Sequence, residues 1–177
     1  MVQDSRRPAG GEDMSLVEEA LAAELPKAAI DFFVVFSRFE CALKRSGKYA
    51  IGNEDRVDPN WDGFARDLGP AFLKRVIEQG IAPVLVNRPP KKQVKLADGA
   101  LGWKDIGSVK NTADLFLAIR RARNNLVHGA KYRDGGTGQI DFVEGSERDD
   151  ELLNQSLAVL ELALGERPEI HGFFRRY

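Results

Sequence analysis

Residues 111–129 read NTADLFLAIRRARNNLVHG, and their spacing decides what kind of fold to expect. At about 100° per residue, Leu115, Ala118, Ile119, Ala122 and Leu126 fall on one face of a helix. Gly129 supplies the left-handed residue on which helices commonly end, so the period predicts a helix from Asn111 whose last turn carries His128. Arg123 falls beside the apolar face, with Phe116, Ile119, Leu126 and Val127 as helical neighbours. Its stem is therefore expected to be partly buried, and its charge needs a partner. Asn124 and His128 share a different stripe, four residues apart. The wheel separates Arg123 from His128 by about 140°, so either the terminal turn unwinds or a second copy of the helix completes a site.

The same helical period extends through the rest of the chain. Phe32, Phe33, Phe36, Phe39 and Leu43 predict an amphipathic helix ending near Ser46 and Gly47, with its phenylalanines in the core. Glu40 falls among them. An unpaired buried carboxylate costs several kcal/mol, so Glu40 is expected to pair with Arg123, whose position poses the complementary problem. Such a pair is equally at home as a purely structural feature of a helical protein. Arg38, on the opposite side, is expected in solvent.

Trp61, Phe64, Ala65, Leu68, Phe72 and Val76 continue the pattern, with Gly69 and Pro70 dividing or kinking it. A capping pair, Ser15 and Glu18, opens a short helix at about 16–24. Leu152, Leu153, Leu157, Leu160 and Leu164 mark a last helix. Residues 81–108 break the period: PVLV and KQVKL flank Pro89 and Pro90 and predict an extended excursion or a short hairpin. The expectation is an all-α chain, an antiparallel bundle of about five helices with that insert.

Composition bounds the rest. The 177 residues suffice for one core, and a single domain at 14–177 after a disordered leader at 1–13 is expected. Twenty-six basic against 27 acidic side chains give a net charge of −1, so any nucleic-acid binding must come from a local patch. The basic run Arg88, Lys91, Lys92 and Lys95 reads first as a solvated loop, with contact to an RNA backbone as the alternative. The lone Cys41 excludes an internal disulfide, and no Cys/His grouping has zinc-ligand spacing; neither metal nor cofactor is expected. No apolar run has signal-peptide or membrane-spanning character, so a cytoplasmic protein is expected. RDGGTGQ, at 133–139, lacks the Gly-Lys-Ser/Thr of a phosphate-cradling loop. His171, among Phe173, Phe174 and terminal arginines, reads as a packing or surface residue.

RARNNLVHG, from Arg121 to Gly129, resembles the signature of HEPN domains, in which an arginine followed by a polar residue is separated from a histidine by four to six residues. Only His128 stands at such a spacing, since no arginine lies five to seven positions before His171. FSRFECALK, from Phe36, is similar to the corresponding helix of some bacterial members. The likeness spans most of 15–165 as a helical pattern and nine residues as a motif; the 81–108 insert lies outside it. The resemblance implies a metal-independent endoribonuclease working as a homodimer, its two signature helices facing each other across a cleft. His128 would exchange the proton of a ribose 2′-hydroxyl or of the leaving 5′-oxygen, with Arg123 stabilising the pentavalent phosphate and Asn124 orienting either group. Separately, closeness in sequence to His128 makes Lys131 and Arg133 candidate substrate contacts. A toxin or defence effector, held by an antitoxin or regulatory protein, is the role implied; a non-catalytic dimeric scaffold binding a partner protein or nucleotide is the alternative. Toxins of this type that are silenced by nucleotidylation carry a tyrosine two residues after the histidine. Here that residue is Ala130, and the nearest tyrosine is Tyr132.

Overall fold

The computed structural model describes residue 15 and residues 25–128 and 147–176, and every structural statement here concerns those residues. Their order is α1 (Lys27–Arg45), β1 (Ala50–Asn53), β2 (Arg56–Pro59), α2 (Trp61–Leu68), α3 (Pro70–Glu78), α4 (Pro83–Asn87), β3 (Lys92–Lys95), β4 (Leu101–Lys104), α5 (Thr112–His128), α6 (Glu147–Glu166) and α7 (Pro168–Arg175). The chain is mainly helical but not all-α: of two separate antiparallel hairpins, β3–β4 lies within the excursion expected at 81–108, and β1–β2 corrects the expectation that the rest is helical. Seven helices, rather than about five, are seen among the described residues. The expected leader, the helix at 16–24 and the glycine-rich stretch all lie outside them.

α1 buries Phe32, Phe36, Phe39 and Leu43 as their spacing requires, but Phe33 is 51% exposed and is not a core residue. It stands about 100° around the helix from Phe32, which takes it off the buried face. The helix ends where Ser46 Oγ donates to the Leu43 carbonyl at 2.7 Å and accepts from the Tyr49 amide at 3.1 Å. The β1–β2 hairpin follows, its turn held by Asn53 Oδ1, which accepts from the amides of Asp55 and Arg56 at 3.0 and 3.2 Å.

The break expected at Gly69 and Pro70 is a complete one. α2 starts under an Asn60 cap, whose side chain accepts from the Gly63 amide at 2.8 Å. It stops at Gly69, whose φ of 72° suits a residue without Cβ. Pro70 then opens α3, and the Thr112 hydroxyl, at the start of α5, donates to the Gly69 carbonyl at 2.6 Å.

In the 81–108 region only the second half is extended. PVLV is the helix α4, with Val84, Leu85 and Val86 all buried. A buried apolar run of this length reads the same for strand and helix. Two partners decide it here: Pro83 at the first helical position, and Gln155 of α6, whose Oε1 accepts the Leu85 amide that a helix start leaves unsatisfied, at 2.9 Å. KQVKL then enters the β3–β4 hairpin.

One cluster of buried hydrophobic residues draws on all seven helices. α1 packs against α5, α6 and α7, and α2 against α5. Aromatic rings form its centre: Trp61 stacks with Phe36 and Phe39, each centroid 5.4 Å away, and Phe116 of α5 meets both Phe64 at 5.4 Å and Trp61 at 5.7 Å. Each such ring stabilises the fold by roughly 1.5–3 kcal/mol through burial alone, so α5 is firmly fixed over its first half. α7, which no clear period announces, docks through fully buried Ile170. Among the described residues no helix is long and apolar enough to cross a membrane.

Candidate functional site

α5 begins under a reciprocal cap. Asn111 Oδ1 accepts from the Asp114 amide at 2.8 Å, and Asp114 Oδ2 accepts from the Lys110 amide at 3.2 Å. From there the helix runs unbroken to His128, so the last turn does not unwind before the histidine. The helix therefore keeps the positions of Arg123 and His128 about 140° apart around its axis.

Arg123 and Glu40 do meet. Nη2 of Arg123 lies 3.7 Å from Oε1 of Glu40, with the side chains 31% and 24% exposed. The same carboxylate oxygen accepts a hydrogen bond from Trp61 Nε1 at 3.1 Å. Arg123 also places its guanidinium over the Phe36 ring, 5.3 Å from the centroid, where the negative face of the ring favours a cation. The guanidinium thus has one edge toward a carboxylate that is already shared, and one face on an aromatic ring. Its Nε is buried and makes no hydrogen bond among the described residues. At 3.7 Å the ion pair is longer than a charge-assisted hydrogen bond, so Glu40 does not use all the donors of the arginine.

The remaining expected site residues are distributed as follows. Asn124 is exposed, away from the Glu40–Arg123 contact. His128 is the last residue of α5. Lys131 and Arg133 lie outside the described residues. Among the described residues no three His, Cys, Asp or Glu side chains converge as a metal site would require.

Two features escaped the sequence reading. The partner that fixes Glu40, Trp61, stands 21 residues away and carried only a core signal. The neighbouring amide, Asn125, is 4% exposed and donates from Nδ2 to the Lys91 carbonyl at 3.0 Å, tying the segment before β3 to α5 two residues after Arg123. Its position, three after Ala122 and seven after Ala118, was the available signal.

A separate polar cluster joins the end of α1 to α2. Asp67 Oδ2 lies 2.6 Å from Lys48 Nζ and accepts from the Tyr49 hydroxyl at 2.9 Å. The hydrogen bond from Lys48, with that from Tyr49, holds the Asp67 carboxyl below its ordinary value. Asp67 in turn raises the Lys48 ammonium, and desolvation raises the Tyr49 phenol. These shifts follow from surface pairing and a buried ring. Comparison with protein-family models, curated proteins and solved structures finds no match to this chain.

Proposed function

We propose that this chain is a metal-independent endoribonuclease of the HEPN type, an antiparallel helical bundle acting as a homodimer in the cytoplasm. The observation that carries this reading is the half-buried Arg123 guanidinium, with its incompletely used donors, on the same unbroken helix as His128 and five residues before it. A second copy is the natural complement of that helix. Ile30, Phe33 and Val34 of α1 and Val127 of α5 leave apolar side chains about half exposed, which a partner would bury.

In the reaction, the ribose 2′-oxygen attacks the adjacent phosphorus and the bond from phosphorus to the 5′-oxygen breaks. One imidazole takes the 2′-hydroxyl proton while its twin protonates the leaving oxygen. Arg123 stabilises the extra charge of the pentavalent phosphate, and Asn124 orients a histidine or a phosphate oxygen. Products are a 2′,3′-cyclic phosphate and a 5′-hydroxyl. A toxin or defence effector, with an antitoxin or regulatory protein as its keeper, is the setting this chemistry suits.

A second reading, a non-catalytic HEPN scaffold, is favoured by one observation: the Trp61–Glu40–Arg123 contact gives the arginine a structural task of its own. Incubation of mixed RNA with the protein and its Arg123→Ala and His128→Ala variants, in a chelator and at equal folded concentration, separates the two. Cleavage by the unaltered chain alone, leaving cyclic phosphate ends, supports the enzyme; equal cleavage by all three refutes it, and none by any of them favours the scaffold.

A further inference from the structure

The basic run of the 81–108 region is not a free loop. Arg88 and Lys91 flank Pro89 and Pro90, both buried, on a backbone pinned from three sides. Asn125 of α5 donates to the Lys91 carbonyl at 3.0 Å, Arg148 Nη2 of α6 donates to the Arg88 carbonyl at 3.1 Å, and the Val109 amide donates to the Val86 carbonyl at 2.8 Å. Asn87, Arg88, Pro89, Lys91, Asp105 and Arg148 line an open groove of about 410 Å³ beside it.

The hairpin that follows extends this charge. Lys92 and Lys104 are register partners across β3 and β4, so both side chains leave the same face, and both residues are exposed. Like charges directly opposite on paired strands are destabilising, by about 1 kcal/mol for unit charges ~5 Å apart in water. Several other lysines and arginines meet carboxylates, as in Lys27–Asp31, Lys48–Asp67, Arg56–Asp58, Lys74–Glu78 and Arg75–Glu166. Among the described residues, none of Arg88, Lys91, Lys92 and Lys104 has such an ion pair. Arg88 and Lys91 at the groove and the facing Lys92 and Lys104 on the hairpin are thus four cations along one fixed stretch of backbone, with Asp105 the groove's one carboxylate among the described residues, and their mutual repulsion is left standing.

We propose that this row, with Arg148, is a track for the phosphate backbone of single-stranded RNA, leading along the hairpin to the Arg123 end of α5. The inference rests on the nuclease reading for its destination but not for its binding chemistry. A row suits a polymer carrying one charge per repeat, whereas a small anion needs cations that converge. It also explains how a chain of net charge −1 can hold a polyanion.

The test is fluorescence anisotropy with a short labelled 2′-O-methyl oligonucleotide, which binds but offers no 2′-hydroxyl for cleavage. Its affinity is expected to fall steeply with salt. Single strands lose about 0.7 in the log–log slope per phosphate contact, so Lys92→Ala/Lys104→Ala should reduce the slope by about 1.4 and the affinity on the order of twenty-fold near ~0.1 M salt. Lys92→Arg/Lys104→Arg should keep both, and circular dichroism checks that each variant is folded. Lys27→Ala/Lys74→Ala removes the same charge from α1 and α3, outside the track, and should leave binding unchanged. Equal binding by the Lys92/Lys104 alanine variant, equal loss in the Lys27/Lys74 variant, or no binding by the unaltered chain overturns the track. A labelled polyglutamate that binds as tightly as the oligonucleotide overturns the choice of RNA. Because the probe resists cleavage, the two readings fail separately. A chain that binds this way yet cuts no RNA refutes only the nuclease, and one that cuts RNA while indifferent to Lys92 and Lys104 refutes only the track.

Discussion

Removing the Glu40 side chain tests whether the contact around Arg123 is the three-way one described. At 3.7 Å and an effective dielectric near 20, the bare attraction between Glu40 and Arg123 is about 4 kcal/mol. Partial exposure, desolvation and the length of the contact leave a net coupling of about 1 kcal/mol. Glu40→Gln loses that coupling but keeps an oxygen for Trp61 Nε1, so its cost should be about 1 kcal/mol. Glu40→Ala also strands the indole N–H of Trp61, a residue only 2% exposed, which adds about 1–3 kcal/mol. At roughly 2–4 °C per kcal/mol for a chain of this size, the melting temperature should fall by about 2–4 °C for Glu40→Gln and by about 4–16 °C for Glu40→Ala. Thermal melts followed by circular dichroism measure both. Combining each with Arg123→Met in a double-mutant cycle isolates the coupling. Indistinguishable Gln and Ala variants, or a coupling below about 0.3 kcal/mol, would refute the reasoning.

Three further expectations concern other parts of the molecule. Asn125→Ala leaves the Lys91 carbonyl without its donor and opens a small void, so stability should fall by about 1–3 kcal/mol in urea titration, and amide exchange should quicken around residues 88–92. Phe33→Glu places a charge on the exposed stripe of α1. Sedimentation should show a shift from dimer to monomer, and RNA cleavage should fall with it, while an unchanged oligomeric state would remove this face from the interface. Because pairing with Lys48 lowers the Asp67 carboxyl, its contribution is present above the ordinary carboxylate range and lost as pH falls through the lowered value. Asp67→Asn should therefore be less stable than the unaltered chain near neutrality, with the difference closing as pH falls through the lowered value, whereas a difference that stays constant into acid would contradict the assignment.

Long amphipathic helices were the legible part of this chain. α1 and α5 follow from apolar periodicity, and the division between α2 and α3 from Gly69 and Pro70, since those signals are local. The Glu40–Arg123 contact was legible for a different reason: each residue stood on the apolar side of its own helix with a charge to compensate. What stayed hidden depended on distant partners or on an absent pattern. β1 and β2 are largely exposed on both faces, so no alternation marked them. α4 takes its conformation from Gln155, 70 residues away, and the ordering of the basic segment depends on Asn125 and Arg148 rather than on its own residues. Phe33 was misjudged because a phenylalanine beside a buried one looks alike in sequence whichever way it faces.

The first hairpin has a practical consequence for engineering. The chain leaves the helical body at Tyr49 and re-enters it at Asn60, whose amide donates to the Tyr49 carbonyl at 2.8 Å, with Ala50 and Pro59 paired just outside. Entry and exit are therefore a single strand spacing apart, about 5 Å. A graft site with so narrow a neck accepts a different turn, an epitope or a small reporter domain between Ile51 and Asp58 without asking α1 or α2 to shift.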